Sequence, residues 1–88
     1  MNTKRNSLKT DRYGNKYWFN KKNQLHRINQ PAVELMSGTR QWYMNGQLHR
    51  IDGPAIEFYD GDKHYYRHGE RIITEEELER LELELATR

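Results

Sequence analysis

Four histidines and two serines are the side chains best suited to chemistry here: His26, His49, His64, His68, Ser7 and Ser37. Imidazoles gathered with carboxylates or thiolates would hold zinc, and a serine placed beside a histidine would make a nucleophile. The spacing favours neither. His26 and His49 occupy the same place in two copies of a repeated segment, a whole unit apart, while His64 and His68 straddle a turn without carboxylate or thiolate support. Ser7 lies in a polar leading segment and Ser37 in a turn, and the glycines are all explained by turns, so no phosphate-cradling loop is expected. The residues predict no catalytic group, no metal site and no cofactor. A His-Arg ladder of structural origin is the better reading, with His49 packing beside Trp42 and Arg50 pairing with Asp52 or Glu57.

The elements that must position these side chains come from an internal repeat. Residues 24–36 read QLHRINQPAVELM and residues 47–59 read QLHRIDGPAIEFY, with eight identities in thirteen positions at an offset of 23. The match runs outward: Gly38 recurs as Gly61, Trp42 as Tyr65, Tyr43 as Tyr66 and Gly46 as Gly69. Backward, Trp18 answers Trp42 and Gly14 answers Gly38 at an offset of 24, which places the extra residue in a Lys21-Lys22-Asn23 turn. About two and a half copies of one unit therefore fill the chain from roughly Gly14 to Ile73.

Each unit reads as β-hairpins. Asn45-Gly46 and Asp60-Gly61 sit between runs of strand-forming residues, and such dipeptides suit the two-residue type I′ turn, which needs positive φ at both positions. With two-residue tips, Tyr43 should oppose Leu48, Trp42 oppose His49, Ile56 oppose Tyr65 and Ala55 oppose Tyr66. Ser37-Gly38 would set Val33 against Trp42, and His68-Gly69 would set Tyr65 against Ile72. Alternation then puts Val33, Trp42, His49, Ile56, Phe58, Tyr65 and Ile72 on one, more apolar face, and Tyr43, Leu48, Ala55, Glu57 and Tyr66 on the other.

Composition bounds the class. Eighty-eight residues with 34% hydrophobic content, 32% charged content and a mean hydropathy of −1.22 suit one small, polar domain. The absence of cysteine excludes disulfides and fits a cytoplasmic setting, and no apolar run predicts a secretory signal or a membrane span. The net charge of +2 is unevenly placed: residues 1–27 hold eight basic side chains against Asp11, and the last fifteen residues hold six glutamates against Arg80 and Arg88. Those fifteen also change period. Thr74-Glu75-Glu76-Glu77 has capping-box spacing, with Glu77 expected to reach back to the cap, and Leu78, Leu81 and Leu85 form an i, i+3, i+7 stripe. We expect three parts: residues 1–9 as a basic, flexible arm, 10–73 as the hairpin sheet, and 74–88 as an acidic helix docked by its leucines on the sheet.

The unit WYMNGQLHRIDGPAIEFYDG resembles the MORN-repeat variant family, whose units of 22–24 residues are β-hairpins with an aromatic pair, Asn-Gly, a pair including His, and a later Gly. The copies with His-Arg-x-Asp-Gly-Pro-Ala, ending in Tyr-Tyr-x-x-Gly-x-x-Ile-Thr-Glu-Glu-Glu, further resemble small uncharacterised proteins of tailed bacteriophages. The resemblance covers about Tyr13 to Glu77 and implies a mainly β fold, an antiparallel meander of 23-residue MORN-like hairpins with one C-terminal helix. It departs in the first copy, where Asn20-Lys21-Lys22-Asn23 replaces the Asn-Gly turn and Asn29-Gln30-Pro31 replaces Asp52-Gly53-Pro54, so that copy should be an edge. The phage resemblance implies a noncatalytic inhibitor or adaptor that binds a host protein or defence complex sterically in the host cytoplasm, in the manner of an anti-CRISPR inhibitor.

From the residues alone, three functions compete. A protein-binding module would use Tyr43, Arg50, Tyr66 and Arg71 on the uncovered face, with Lys21 and Lys22 beside them, since Tyr and Arg are enriched in binding hot spots. A nucleic-acid binder would use the basic leading segment and the sheet aromatics, opposed by the acidic tail. A homodimer would pair through an edge strand left open by the first copy.

Overall fold

A computed structural model describes residues 6–87; Met1–Arg5, the greater part of the expected arm, lie outside the described residues. The strands follow in chain order as β1 (Ser7–Thr10), β2 (Lys16–Phe19), β3 (Val33–Glu34), β4 (Arg40–Gln41), β5 (Tyr43–Met44), β6 (Gln47–Leu48), β7 (Ile56–Glu57), β8 (Lys63–Arg67) and β9 (Glu70–Ile72), followed by the helix α1 (Glu75–Ala86). Seven of them form one antiparallel meander in the order β1-β2-β3-β4-β7-β8-β9, and β5-β6 is a separate hairpin. The fold is mainly β with one C-terminal helix. The sheet begins earlier than the sequence suggests, because Ser7–Thr10 pairs residue for residue with Phe19–Lys16.

Two kinds of turn alternate. Asn45-Gly46 (φ 49° and 84°) and His68-Gly69 (φ 49° and 82°) carry positive φ at both residues, as a type I′ turn needs. Their registers are the expected ones, Tyr43 opposite Leu48 and Tyr65 opposite Ile72. The turns at Gly14, Gly38 and Gly61 are different. In the last of them Phe58 N–H donates to the Asp62 carbonyl and Gly61 N–H to the Phe58 carbonyl, enclosing three residues rather than two. Gly61 alone has positive φ there (93°), and Asp60 does not. This is a type I turn closed by a glycine bulge.

The extra turn residue shifts the flanking register. Val33 lies opposite Gln41, not Trp42, and Ile56 opposite His64, not Tyr65. A slip of one residue moves a side chain to the other face, so the expected single apolar face is corrected. Val33, Gln41 and Ile56 share one row, while the neighbouring row holds Ala32, Trp42 and Ala55, with Trp42 N–H bonded to the Ala55 carbonyl. Both rows supply the buried apolar residues: Ala32, Val33, Trp42, Ala55 and Ile56. In the first copy, Asn20 N–H bonds the Gln24 carbonyl and Asn23 N–H the Asn20 carbonyl around Lys21-Lys22-Asn23, with Asn23 at φ 63°. A three-residue turn stands here where later units have two, which accounts for the 24-residue offset.

The helix forms as expected, but its docking does not. Thr74 Oγ1 accepts from Glu77 N–H at 3.2 Å, giving half of a capping box; the Glu77 carboxylate instead meets Arg71 at 2.6 Å. None of the helical residues is buried, and Leu78, Leu81 and Leu85 are 49, 44 and 67% exposed. The molecule measures 62 × 26 × 21 Å. The leucine stripe of α1 is thus not laid over the sheet.

Candidate functional site

The repeat places each arginine of the His-Arg pair over an indole. The guanidinium carbon of Arg27 lies 3.7 Å from the Trp18 ring centroid and that of Arg50 lies 3.8 Å from the Trp42 centroid. Each then reaches the equivalent two partners within its own unit: Arg27 the Pro31 carbonyl and Glu34, Arg50 the Pro54 carbonyl and Glu57. Arg50 also holds Asp52 at 3.1 Å, so it engages both carboxylates that the sequence offers it. Its side chain is only 22% exposed. Proposed from sequence as a contact residue, Arg50 is committed to holding Trp42 in place.

The histidines link one unit to the next. His26 Nδ1 accepts from Asn45 N–H at 3.0 Å, and His49 Nδ1 accepts from His68 N–H at 2.9 Å. Both donors open the type I′ turn of the following unit. A parallel ladder runs through the three-residue turns, where Asn15 Oδ1 accepts from Met36 N–H (2.7 Å) and Thr39 Oγ1 accepts from Tyr59 N–H (3.1 Å). His64 faces Asp62 at 3.4 Å and packs edge-on against Phe58. Among the described residues no three His, Asp or Glu side chains gather as a metal site.

A ring nitrogen that accepts a backbone N–H must be unprotonated. For His49 burial, then the nearby His68 and Arg67, hold the pKa below the ordinary histidine value. The unfolded chain therefore takes up the proton first. The stability His49 contributes is complete above pH ~6.5 and falls as pH drops from there toward the folded-state value. Thermal melts should show a lower midpoint at pH 5 than at pH 7.5, and His49→Gln, whose amide oxygen accepts without titrating, should show a smaller drop. An equal drop in the variant would assign the effect elsewhere.

Three hairpins lie side by side and align one row of side chains. Phe19 is bridged to Leu25, Tyr43 is opposite Leu48, and Tyr66 is opposite Arg71. Backbone bonds join them: Arg27 N–H to the Tyr43 carbonyl and Gly46 N–H to the Leu25 carbonyl, then Arg50 N–H to the Tyr66 carbonyl and Gly69 N–H to the Leu48 carbonyl. Tyr43 and Tyr66 are half-buried, and burial, followed by the neighbouring Tyr66, raises the Tyr43 pKa. Arg71 is exposed at the end of the row, tied to α1 through Glu77. Lys21 and Lys22 are exposed on the first hairpin tip. Of the residues expected to contact a partner, Tyr43, Tyr66 and Arg71 are thus brought together, Lys21 and Lys22 stand at one edge, and Arg50 is turned into the structure.

Sequence reasoning missed two further apolar series. Tyr13, Met36 and Tyr59, on the three-residue turns, are 66, 71 and 72% exposed, and the repeat-equivalent Ile28 and Ile51 are 64 and 73% exposed. Met36 lies over Gly14 of the preceding turn, where a Cβ would come within 3.0 Å of its sulfur. Their recurrence at the offset of the glycines was the available signal. The chain matches no protein-family model, no curated protein and no solved structure.

Proposed function

We propose that this chain is a noncatalytic, MORN-like protein-binding module that acts sterically, as an inhibitor or adaptor, through the row of hairpin side chains around Tyr43, Tyr66 and Arg71. The carrying observation is that row itself. Tyrosines repeated at one slot of successive hairpins bring rigid, amphipathic area at small entropic cost, and an exposed arginine closes the row. His26, His49 and the half-buried Arg27 and Arg50 are occupied in structural contacts, which leaves the sheet to present the row.

The test uses the full chain as bait. A protein partner recovered in stoichiometric amount should be lost when Tyr66→Ala and Arg71→Ala are combined, with the far-UV circular dichroism retained. Recovery of nuclease-sensitive nucleic acid alone, with affinity falling steeply as salt rises, would replace this reading with a nucleic-acid one.

A further inference from the structure

Among the described residues the two ends of the array are both uncovered and are opposite in charge. At the first end β1 has only β2 as a neighbour. Its hairpin exposes Leu8 (50%) and Tyr13 (66%) beside Lys9 and Arg12, and Asn6 shares a groove with Lys21 and Lys22. At the other end β9 has only β8 as a neighbour, and α1 runs on with Leu78, Leu81 and Leu85 exposed among glutamates.

The last unit also breaks the repeat in an informative way. Ile72 and Ile73 stand in the slots held by His26-Arg27 and His49-Arg50, and they are 39 and 52% exposed. Where earlier units bind their successor through an imidazole and an arginine, the last offers apolar surface continuous in sequence with the leucine stripe. Apolar surface gathered in this way marks a contact.

We propose that the protein associates head to tail, the apolar face of α1 and the outer edge of β9 in one copy docking on the basic β1–β2 hairpin of a second copy. The 62 Å length is many times the screening length of about 8 Å at physiological salt, so neither end neutralises the other within one molecule. A symmetric contact between two α1 faces would set glutamates against glutamates, and one between two β1 edges would set bases against bases. Only the unlike pairing matches charge with charge and leucine with apolar side chain, and it joins two strands whose outer edges have no neighbouring strand among the described residues. Such a contact does not close on two molecules, so each association leaves one free head and one free tail. This surface meets the tyrosine row at Arg71 of β9, and the variants that test it leave Tyr43, Tyr66 and Arg71 unchanged, so failure of one proposal does not decide the other.

Sedimentation velocity on the full chain over a range of concentrations is the test. Mass should grow past that of a dimer with concentration and fall back as salt is raised. Leu81→Glu removes the tail, and Lys9→Glu with Arg12→Glu removes the head; Lys21→Glu with Lys22→Glu, on an exposed turn, gives a second head variant that leaves β1 intact. Each variant alone should be monomeric, with circular dichroism like that of the parent. An equimolar mixture of tail and head variants should form a one-to-one dimer and nothing larger, because one sound head and one sound tail remain. A parent that stays monomeric throughout, a Leu81→Glu protein that still associates, or a mixture that stays monomeric would each overturn the proposal.

Discussion

Trp42→Ala is expected to cost about 3–5 kcal/mol of unfolding free energy, against the ~5–15 kcal/mol that an ordinary domain possesses. Trp42 is the one large ring among the buried residues, 8% exposed, and it sits beside Ala32 and Ala55, both wholly buried. Those alanines have no bulk with which to fill the space, and backbone bonds hold them there, Ala55 to Trp42 and Ala32 to Gln41. The guanidinium of Arg50 would also lose the face on which it lies. Urea titration followed by circular dichroism measures the effect, with Trp18→Ala as the comparison. Trp18 is only half-buried and lies in the outer copy, so its loss should be clearly the smaller. Equal effects would show that the centre of the sheet does not depend on the middle indole.

Arg50→Ala should be the next most damaging, at about 2–4 kcal/mol, because a cation–π contact and charged hydrogen bonds are lost together. The carbonyl of Pro54, a buried residue, would lose its donor, and Glu57 its counter-ion. The ion pairs themselves contribute little at this exposure; the stacking and the satisfied carbonyl dominate. Arg50→Lys distinguishes these terms. It keeps the charge but cannot stack a planar group on the indole while bonding both oxygens, so it should recover less than half of the loss. Full recovery by lysine would reduce the role of Arg50 to charge alone. Equilibrium unfolding of the three proteins gives the answer.

Much of this is legible in the sequence. The offset of 23 fixed the unit, Asn45-Gly46 and His68-Gly69 fixed two hairpins with their registers, and the Thr74 cap fixed the start of α1. The three-residue turns were not legible, because Ser37-Gly38 and Asp60-Gly61 look the same as Asn45-Gly46 in type. Only the backbone shows whether one residue or two has positive φ, and that decides which side chains share a face. The proposed row was half legible: Tyr43 and Tyr66 followed from the repeat, while Arg50 was read both as a partner of Asp52 or Glu57 and as free for a contact. The recurrence of Arg-x-x-x-Pro-x-x-Glu at 27–34 and 50–57 was the sign that it is not. The leucine stripe disclosed an amphipathic helix, and amphipathicity alone does not say what meets it.

The side-chain-to-backbone ladders between units run in one direction. In each rung the acceptor comes earlier in the chain, His26 for Asn45, His49 for His68, Asn15 for Met36 and Thr39 for Tyr59, and the donor is a backbone amide of the unit that follows. A ribosome adding about 5–20 residues per second takes more than a second over each unit, while a hairpin closes in ~1–10 microseconds. Each finished hairpin therefore waits with its acceptors already set out when the next emerges. Assembly can follow synthesis from the first turn to the last, and no rung has to wait for a segment made earlier to find its way back across the chain.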